Sequence, residues 1–444
     1  MNDKIHGVFE QREGATTAMA DQKIVLAYSG GLDTSCILKY LQEKGYQVVA
    51  FIADLGQEDD MAALERRAHD QGAVAVHVVD LRRTFVTEFV LPAIAGNALY
   101  ENRYLLGTSL ARPLIARGQV EVALAEGAGW VSHGATGKGN DQVRFELAYA
   151  ALAPQLRVFA PWKDAEYLAR FKGRSDLLRY AEQHGLKLDV TVDKPWSTDE
   201  NLMHKSYEAG LLEDPAWAPP EEMFTRTRSP QEAPDQPVDL ELHFESSRPV
   251  ALVLPAEGRR ITDPLELFVE LNRLGGEHSI GRVDMVENRF VGIKSRGVYE
   301  TPGGTILFQA LRDLEGLAMD REVLRVRDLL SQRFAQLIYN GFWFSPEMDV
   351  IRAAFAQAER GVDGRVALRL YKGNVIGRGR QSARQLYDQT LSSMDVAGGY
   401  DQTDARGFIR LNALRLRAYR RIEDKGAGGA RNEVVGATAG ARSK

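Results

Sequence analysis

Val25-Leu26-Ala27-Tyr28-Ser29-Gly30-Gly31-Leu32-Asp33-Thr34-Ser35 decides how the first half of this chain folds. An apolar strand runs into Ser-Gly-Gly-Leu-Asp-Thr-Ser and then into the helical pattern Ser35–Lys44. Gly30 and Gly31 lack a Cβ, so the backbone can turn sharply there and approach an anion closely. The helix that follows aims unpaired N–H groups and its positive dipole end at the same spot. Ser29, Thr34 and Ser35 add hydroxyl donors. The stretch predicts a phosphate cradle. The competing reading is a plain strand-to-helix turn with Asp33 as N-cap. The Ser before the glycines, the Asp-Thr-Ser after them, and the strand and helix on either side favour nucleotide binding.

Around this loop the first half alternates strands (Lys23–Tyr28, Gln47–Ala53, Val74–Val79, Trp130–His133, Arg157–Ala160) with helices (Thr34–Lys44, Ala62–Gln71, Thr87–Gly96, Ser109–Glu126, Asp141–Ala151, Arg174–His184). Repeated β-α units imply a parallel sheet covered on both faces, with ligands outside the strand C-termini. The pattern changes near Gly185–Pro195, and Glu213–Pro237 has no clear period. Strands at Val238–Ser246, Pro249–Pro255 and within Val283–Glu300, helices at Leu265–Leu274, Thr305–Ala318 and Asp320–Asn340, and a hairpin around Lys372-Gly373-Asn374 predict an α+β region. Phe408–Glu423 has Leu411, Leu414 and Leu416 on a helix-like face, and the Gly/Ala-rich stretch after it reads as disordered.

Composition narrows the function. The 444 residues hold 44% hydrophobic and 26% charged side chains, as in a soluble globular protein. A net charge of −5 argues against a general binder of nucleic acid or anionic membrane. Cys36 is the single cysteine, so no internal disulfide or Cys-rich zinc site is possible, and a reducing cytoplasm fits. No apolar run approaches a membrane span. Residues 1–21 mix charges without an apolar core and read as a disordered extension, with Met19 a candidate start.

Four further clusters carry polar chemistry. His133-Gly134-Ala135-Thr136-Gly137-Lys138-Gly139-Asn140-Asp141 is a second Gly-rich loop between strand and helix, on the same sheet edge as the first. Lys138 can reach phosphate or can be a solvated loop lysine. Tyr100–Pro113 carries Tyr104, Thr108, Ser109 and Arg112, an arginine one turn into a helix that is more often solvated than ligand-bound. Pro195–Ser206 and Val286–Thr301 each read as loop or strand-end surface when taken alone.

The first loop lacks the Gly-Lys-Ser/Thr ending of a Walker A motif and resembles the pyrophosphate loop of PP-loop ATP pyrophosphatases. Taken together, AYSGGLDTS, ADLGQ, YLLGTSLARP, HGATGKGNDQVRFE, PWSTDENLMHKSYEAG and VENRF…KSRGVYETP resemble the argininosuccinate synthase family in order and spacing from about Lys23 to Glu423. The resemblance implies an α/β fold. A parallel-sheet nucleotide-binding domain of the PP-loop, adenine nucleotide alpha-hydrolase-like kind (22–187) would precede an α+β synthetase and multimerisation domain (188–407). An oligomerisation helix (408–423) and a disordered tail (424–444) would follow.

The resemblance also implies joining of L-citrulline to L-aspartate with ATP. A citrullyl-adenylate would form, AMP and pyrophosphate would be released, and Mg²⁺ would arrive on the ATP phosphates with no dedicated protein metal site. By the same resemblance Ala27, Tyr28, Ser29, Gly30, Gly31, Leu32, Asp33, Thr34, Ser35, Ala53 and Gly134 contact ATP. Thr136, Asn140 and Asp141 form the aspartate site, Asp141 facing the substrate ammonium. Tyr104, Ser109, Asn140, Arg144, Ser197, Ser206, Glu287 and Tyr299 form the citrulline site. Arg144 can take the citrulline carboxylate bidentately, and Glu287 can face its ammonium. A cytoplasmic homotetramer is expected, with neither nucleic acid nor membrane as partner.

A helix dipole supplies roughly 0.3–2 kcal/mol, so the phosphate loop alone is not the catalyst. Enzymic acceleration needs about 8 kcal/mol or more. A tRNA-modifying PP-loop enzyme is the alternative, but thiolation generally needs persulfide cysteines and RNA binding favours a basic domain. A nucleotide-sensing module leaves the polar clusters beyond the phosphate loop unexplained.

Overall fold

A computed structural model of the chain describes residues 22–137, 139–186, 196–395 and 399–439, with side chains as far as residue 424. The extension expected at 1–21, Lys138, and most of the change of pattern before Pro195 lie outside the described residues.

The first half contains β1 (Lys23–Ala27), α1 (Leu32–Glu43), β2 (Gln47–Asp54), α2 (Met61–Asp70) and β3 (Ala75–Asp80). Helical segments Arg82–Thr84, Phe85–Val90 and Leu91–Ala95 follow, the middle one π-helical. Then come α3 (Gly107–Ala125), β4 (Trp130–Ser132), α4 (Asp141–Leu152), β5 (Arg157–Phe159), a short helix Ala165–Arg170 and α5 (Arg174–Gln183). The five strands pair in parallel in the order β3-β2-β1-β4-β5.

The apolar strands are continuous because both sheet faces are covered. Ile24 and Leu26 of β1 pack with Cys36, Ile37 and Leu41, while Val25 packs with Phe85, Leu110 and Leu114 on the other side. Burial pushes the Cys36 thiol up to about 12, which leaves it inert. The strand order reverses between β1 and β4. In such sheets, ligands bind outside the strand C-termini at that crevice. The two Gly-rich loops leave β1 and β4 at that edge.

The next part contains β6 (Ser197–Glu200), β7 (Lys205–Glu208), β8 (Val238–Glu245), β9 (Arg248–Leu254), β10 (Arg259–Ile261), α6 (Pro264–Glu277), β11 (Arg282–Asn288) and β12 (Lys294–Glu300). It continues with α7 (Pro302–Ala318), α8 (Arg321–Asn340), α9 (Pro346–Ala358), β13 (Gly364–Tyr371) and β14 (Asn374–Gln381). One sheet has the order β10-β9-β8-β13-β14 and another β11-β12-β7-β6, all pairs antiparallel. β6 and β7 correct the sequence reading, which treated Pro195–Ser206 as surface. Their residues lack an apolar alternation, yet β7 extends the edge of β12. A Lys205–Glu200 ion pair of 2.9 Å reinforces the hairpin.

One large core joins the two parts, uniting Phe89 and Leu110 with Phe268, Leu307, Phe334 and Trp343. The packing is therefore continuous up to Leu386, and a second unit begins at Tyr387. That unit contains α10 (Asp404–Ala439), longer than the expected 408–423. It continues into a stretch expected to be disordered. Extending an existing helix costs far less than nucleating one, and the Ala residues favour it. Phe408, Ile409, Leu411, Leu416, Tyr419 and Ile422 on this helix are exposed.

Candidate active site

The first loop is built as a cradle. Gly30 has φ +71°, and a Cβ there would lie 2.3 Å from Leu64 Cδ2, so only glycine fits. Its carbonyl accepts from Arg67 Nη1 at 2.9 Å, which ties the turn to α2. Gly31, not Asp33, is the N-cap of α1, and no side chain caps it. That helix end is left open to an anion. Ser29 Oγ and Thr34 Oγ1 lie 3.1 Å apart at its mouth, and buried Tyr28 Oη contacts Ser35 Oγ at 3.2 Å. Burial raises the pKa of Asp33, while Arg174 and Trp162 oppose the shift. Ala27 ends β1, and the Ala53 carbonyl near the end of β2 accepts from Gln57 Nε2 at 2.8 Å.

The second loop meets the first directly. A Cβ on Gly134 would stand 3.0 Å from Thr34 Cγ2. Asn140 occupies the N-cap of α4 but makes no cap bond, and its Oδ1 accepts from Phe290 N at 3.1 Å. The start of α4 is thus pinned to the turn between β11 and β12.

Beside these loops lies a polar cavity of about 270 Å³. This is near the lower end of the roughly 300–1,000 Å³ usual for small-molecule sites. Tyr104, Thr108, Gly134, Thr136, Asn140, Asp141, Arg144, Ser206, Glu208, Glu287, Arg289 and Tyr299 are among its walls. Most of the residues expected to hold amino-acid substrates are therefore brought together. Ser109 and Ser197 are not on its walls. Ser109 is fully buried in α3 with no partner for its hydroxyl among the described residues, and Ser197 is exposed on β6.

Two side chains expected to meet substrate charges already have protein partners. Asp141 is already engaged, accepting from Arg112 Nε at 3.0 Å and Arg144 Nη1 at 2.8 Å. Burial raises its pKa, but the two guanidiniums outweigh this and hold the carboxyl at about 2. It is therefore not a free anion awaiting an ammonium. Arg144 also donates through Nε to the Tyr339 carbonyl at 2.9 Å. Two of its three nitrogens are committed, so the expected bidentate grip on a carboxylate is not open in this state.

Arg112, read as solvated, is instead mostly buried and bridges Asp141 and Asp199. Thr108 Oγ1 donates to Asp199 Oδ2 at 2.8 Å, so His204 Nε2–H donates to Thr108 Oγ1 at 3.0 Å. Burial holds the His204 imidazole down at about 3, so it is neutral. Asn201 Oδ1 accepts from the N–H groups of Met203 and His204, fixing the turn that presents this ring. The polar stretch around 196–206 thus braces the first turn of α3.

Opposite this cluster, Glu287 accepts from Tyr299 Oη at 2.7 Å and Tyr339 Oη at 2.5 Å. Tyr104 stacks on Tyr299 with ring centres 4.2 Å apart. Arg289 pairs with Glu208, whose pKa is raised by burial against the pull of Arg289. Arg289 lies in the Val286–Thr301 cluster but had no role assigned to it from the sequence, and Tyr339 was missed, since no local pattern marks the penultimate residue of α8. Among the described residues no group of three or more His, Cys, Asp or Glu side chains is arranged to hold a metal.

Family comparison fits this architecture. Residues 23–187 match the arginosuccinate synthase N-terminal HUP domain, and 196–419 match the arginosuccinate synthase C-terminal domain. The chain belongs to the argininosuccinate synthase family. The argininosuccinate synthase of Pseudothermotoga lettingae is 61% identical over 398 residues, covering 90% of this chain and 94% of that protein. Those of Thermotoga maritima and Homo sapiens are 58% and 53% identical over 402 residues, each covering 90% of this chain and 98% of the relative. The parallel sheet belongs to the HUP part of the family, and the antiparallel sheets and long helices to its C-terminal part. Within the described residues, no helix is long and apolar enough to cross a membrane.

Proposed function

We propose that the chain ligates L-citrulline and L-aspartate to argininosuccinate in arginine biosynthesis, converting ATP to AMP and pyrophosphate. The observation that carries this reading is the meeting of the two loops at Thr34 and Gly134 beside one charged cavity. ATP lies along Ala27–Ser35, Ala53 and Gly134, its pyrophosphate on the open end of α1. Magnesium arrives on the β- and γ-phosphates as part of that substrate and neutralises the leaving group. The citrulline ureido oxygen attacks the α-phosphorus, and the aspartate amine then displaces AMP.

Citrulline occupies the wall formed by Tyr104, Arg144, Ser206, Glu287 and Tyr299. Glu287 faces its ammonium, and Arg144 turns its remaining nitrogen to its carboxylate. Aspartate lies toward Thr136, Asn140 and Asp141, where the Asp141 carboxylate is shared with Arg112 and Arg144. Asn140 stands between the two substrates. The site works by positioning and charge, with no enzyme nucleophile.

Pyrophosphate release should require ATP, citrulline and aspartate together for sustained turnover, with AMP as the other nucleotide product. Release no greater than with ATP alone, from folded protein, contradicts the proposal.

The protein acts in the cytoplasm as a homotetramer, with the exposed apolar face of α10 covered by another subunit. Truncation after Gly407 should shift light scattering to smaller species. An unchanged assembly mass contradicts that role.

A further inference from the structure

We infer that Tyr339 is a positioning residue that sets the spacing between the two charged groups proposed to receive the ends of citrulline. The inference rests on the reading above, in which Glu287 and Arg144 hold those ends. Tyr339 grips both from one residue. Its Oη donates to Glu287 Oε1 at 2.5 Å, and its backbone carbonyl accepts from Arg144 Nε at 2.9 Å. The Arg144 guanidinium also lies 5.0 Å from the centre of the Tyr339 ring. An anion and a cation on different elements are thereby referred to one rigid group.

The position in the fold explains how one residue does both. The last carbonyls of a helix have no intrahelical partner. Tyr339 is the penultimate residue of α8, and Gly341 at φ +89° ends the helix just beyond it. Its carbonyl is therefore free for Arg144. Its ring is completely buried and stacks on Tyr100, with centres 3.7 Å apart and planes 3° from parallel. Tyr100 Oη in turn donates to the Asn288 carbonyl at 2.6 Å, next to Glu287. Burial raises the Tyr339 phenol, so it stays protonated and remains a donor.

Steady-state kinetics of the full chain test this with Tyr339→Phe, Glu287→Gln and the double variant. Tyr339→Phe removes one hydrogen bond to a charged group and should raise the citrulline KM roughly tenfold or more. The KM values for ATP and aspartate should stay at wild type. Because Tyr339 acts through Glu287, adding Tyr339→Phe to Glu287→Gln should cost little more. Tyr100→Leu, which removes the stack and the bond to the Asn288 carbonyl but leaves the Tyr339 hydroxyl on Glu287, should give a smaller rise selective for citrulline. It also serves as the test should Tyr339→Phe fail to fold.

A wild-type citrulline KM in folded Tyr339→Phe, an equal loss for all three substrates, or full additivity with Glu287→Gln overturns the inference. A wild-type citrulline KM in Glu287→Gln overturns the assignment of the pocket instead. The two failures are therefore distinguishable.

Discussion

Asp141→Ala is expected to lower kcat/KM for aspartate by roughly 100–1,000-fold while leaving the KM for ATP near wild type. The magnitude follows from what the substitution strands. Asp141 partners both Arg112 and Arg144, and these side chains are mostly buried, at 17% and 6% exposed. Arg112 keeps Asp199, but among the described residues Arg144 keeps no carboxylate partner and retains the neutral Tyr339 carbonyl and ring. Removing one member of a buried ion pair typically costs about 3–5 kcal/mol of folding stability, because the other charge remains unpaired, and the displacement of such a group in a site can cost roughly 100-fold in rate. Citrulline use should suffer too, since Arg144 is shared. The residues proposed to hold ATP, chiefly Ala27–Ser35, lie on the other loop, so ATP binding should be spared.

The pH behaviour has a definite sign. A carboxyl held at about 2, below its ordinary 3.8, contributes stability that is present above 3.8 and lost as pH falls through 2. Asp141→Ala should therefore flatten the stability profile in that acid window. Aspartate kinetics matching wild type would remove Asp141 from the site.

Glu315→Ala is expected to destabilise the fold by about 3–5 kcal/mol, the largest effect predicted away from the cavity. Glu315 on α7 and Arg327 on α8 form an ion pair with neither side chain exposed. Asn97 Nδ2 and Arg312 Nη1 also donate to Glu315, at 3.1 and 3.2 Å. The pair fixes α8 against α7, and α8 carries Tyr339 to Glu287 and Arg144 of the cavity wall. Urea unfolding measures the loss directly. Replacing both partners by apolar residues, Glu315→Leu with Arg327→Met, should recover much of it, because no unpaired charge then remains. A double variant as unstable as Glu315→Ala contradicts this account of the pair.

The parallel sheet was legible because its signal is local. Each strand is a short apolar run, and each loop announces itself by glycines beside hydroxyl residues. The gathering of Tyr104, Asn140, Arg144, Ser206, Glu287 and Tyr299 was legible only through resemblance to the family, since these residues come from distant segments. What escaped had partners far away in the chain. Arg112 looks like a surface residue until Asp199, 87 positions later, folds over it. Tyr339 meets Glu287 across 52 positions. The engagement of Asp141 was missed for a related reason: charge sign is visible in a sequence, but neutralisation by neighbours is not. β6 and β7 were missed because edge pairing and ion pairs, rather than apolar alternation, hold them.

The most direct test of the central claim uses citrulline labelled with ¹⁸O in its ureido group, incubated with the protein, ATP, Mg²⁺ and aspartate. Attack of that oxygen on the α-phosphorus, followed by displacement by the aspartate amine, must leave the label in AMP. Mass spectrometry should therefore find one ¹⁸O in the AMP phosphate for each argininosuccinate formed. Unlabelled AMP, or formation of ADP with label in inorganic phosphate, would contradict the account.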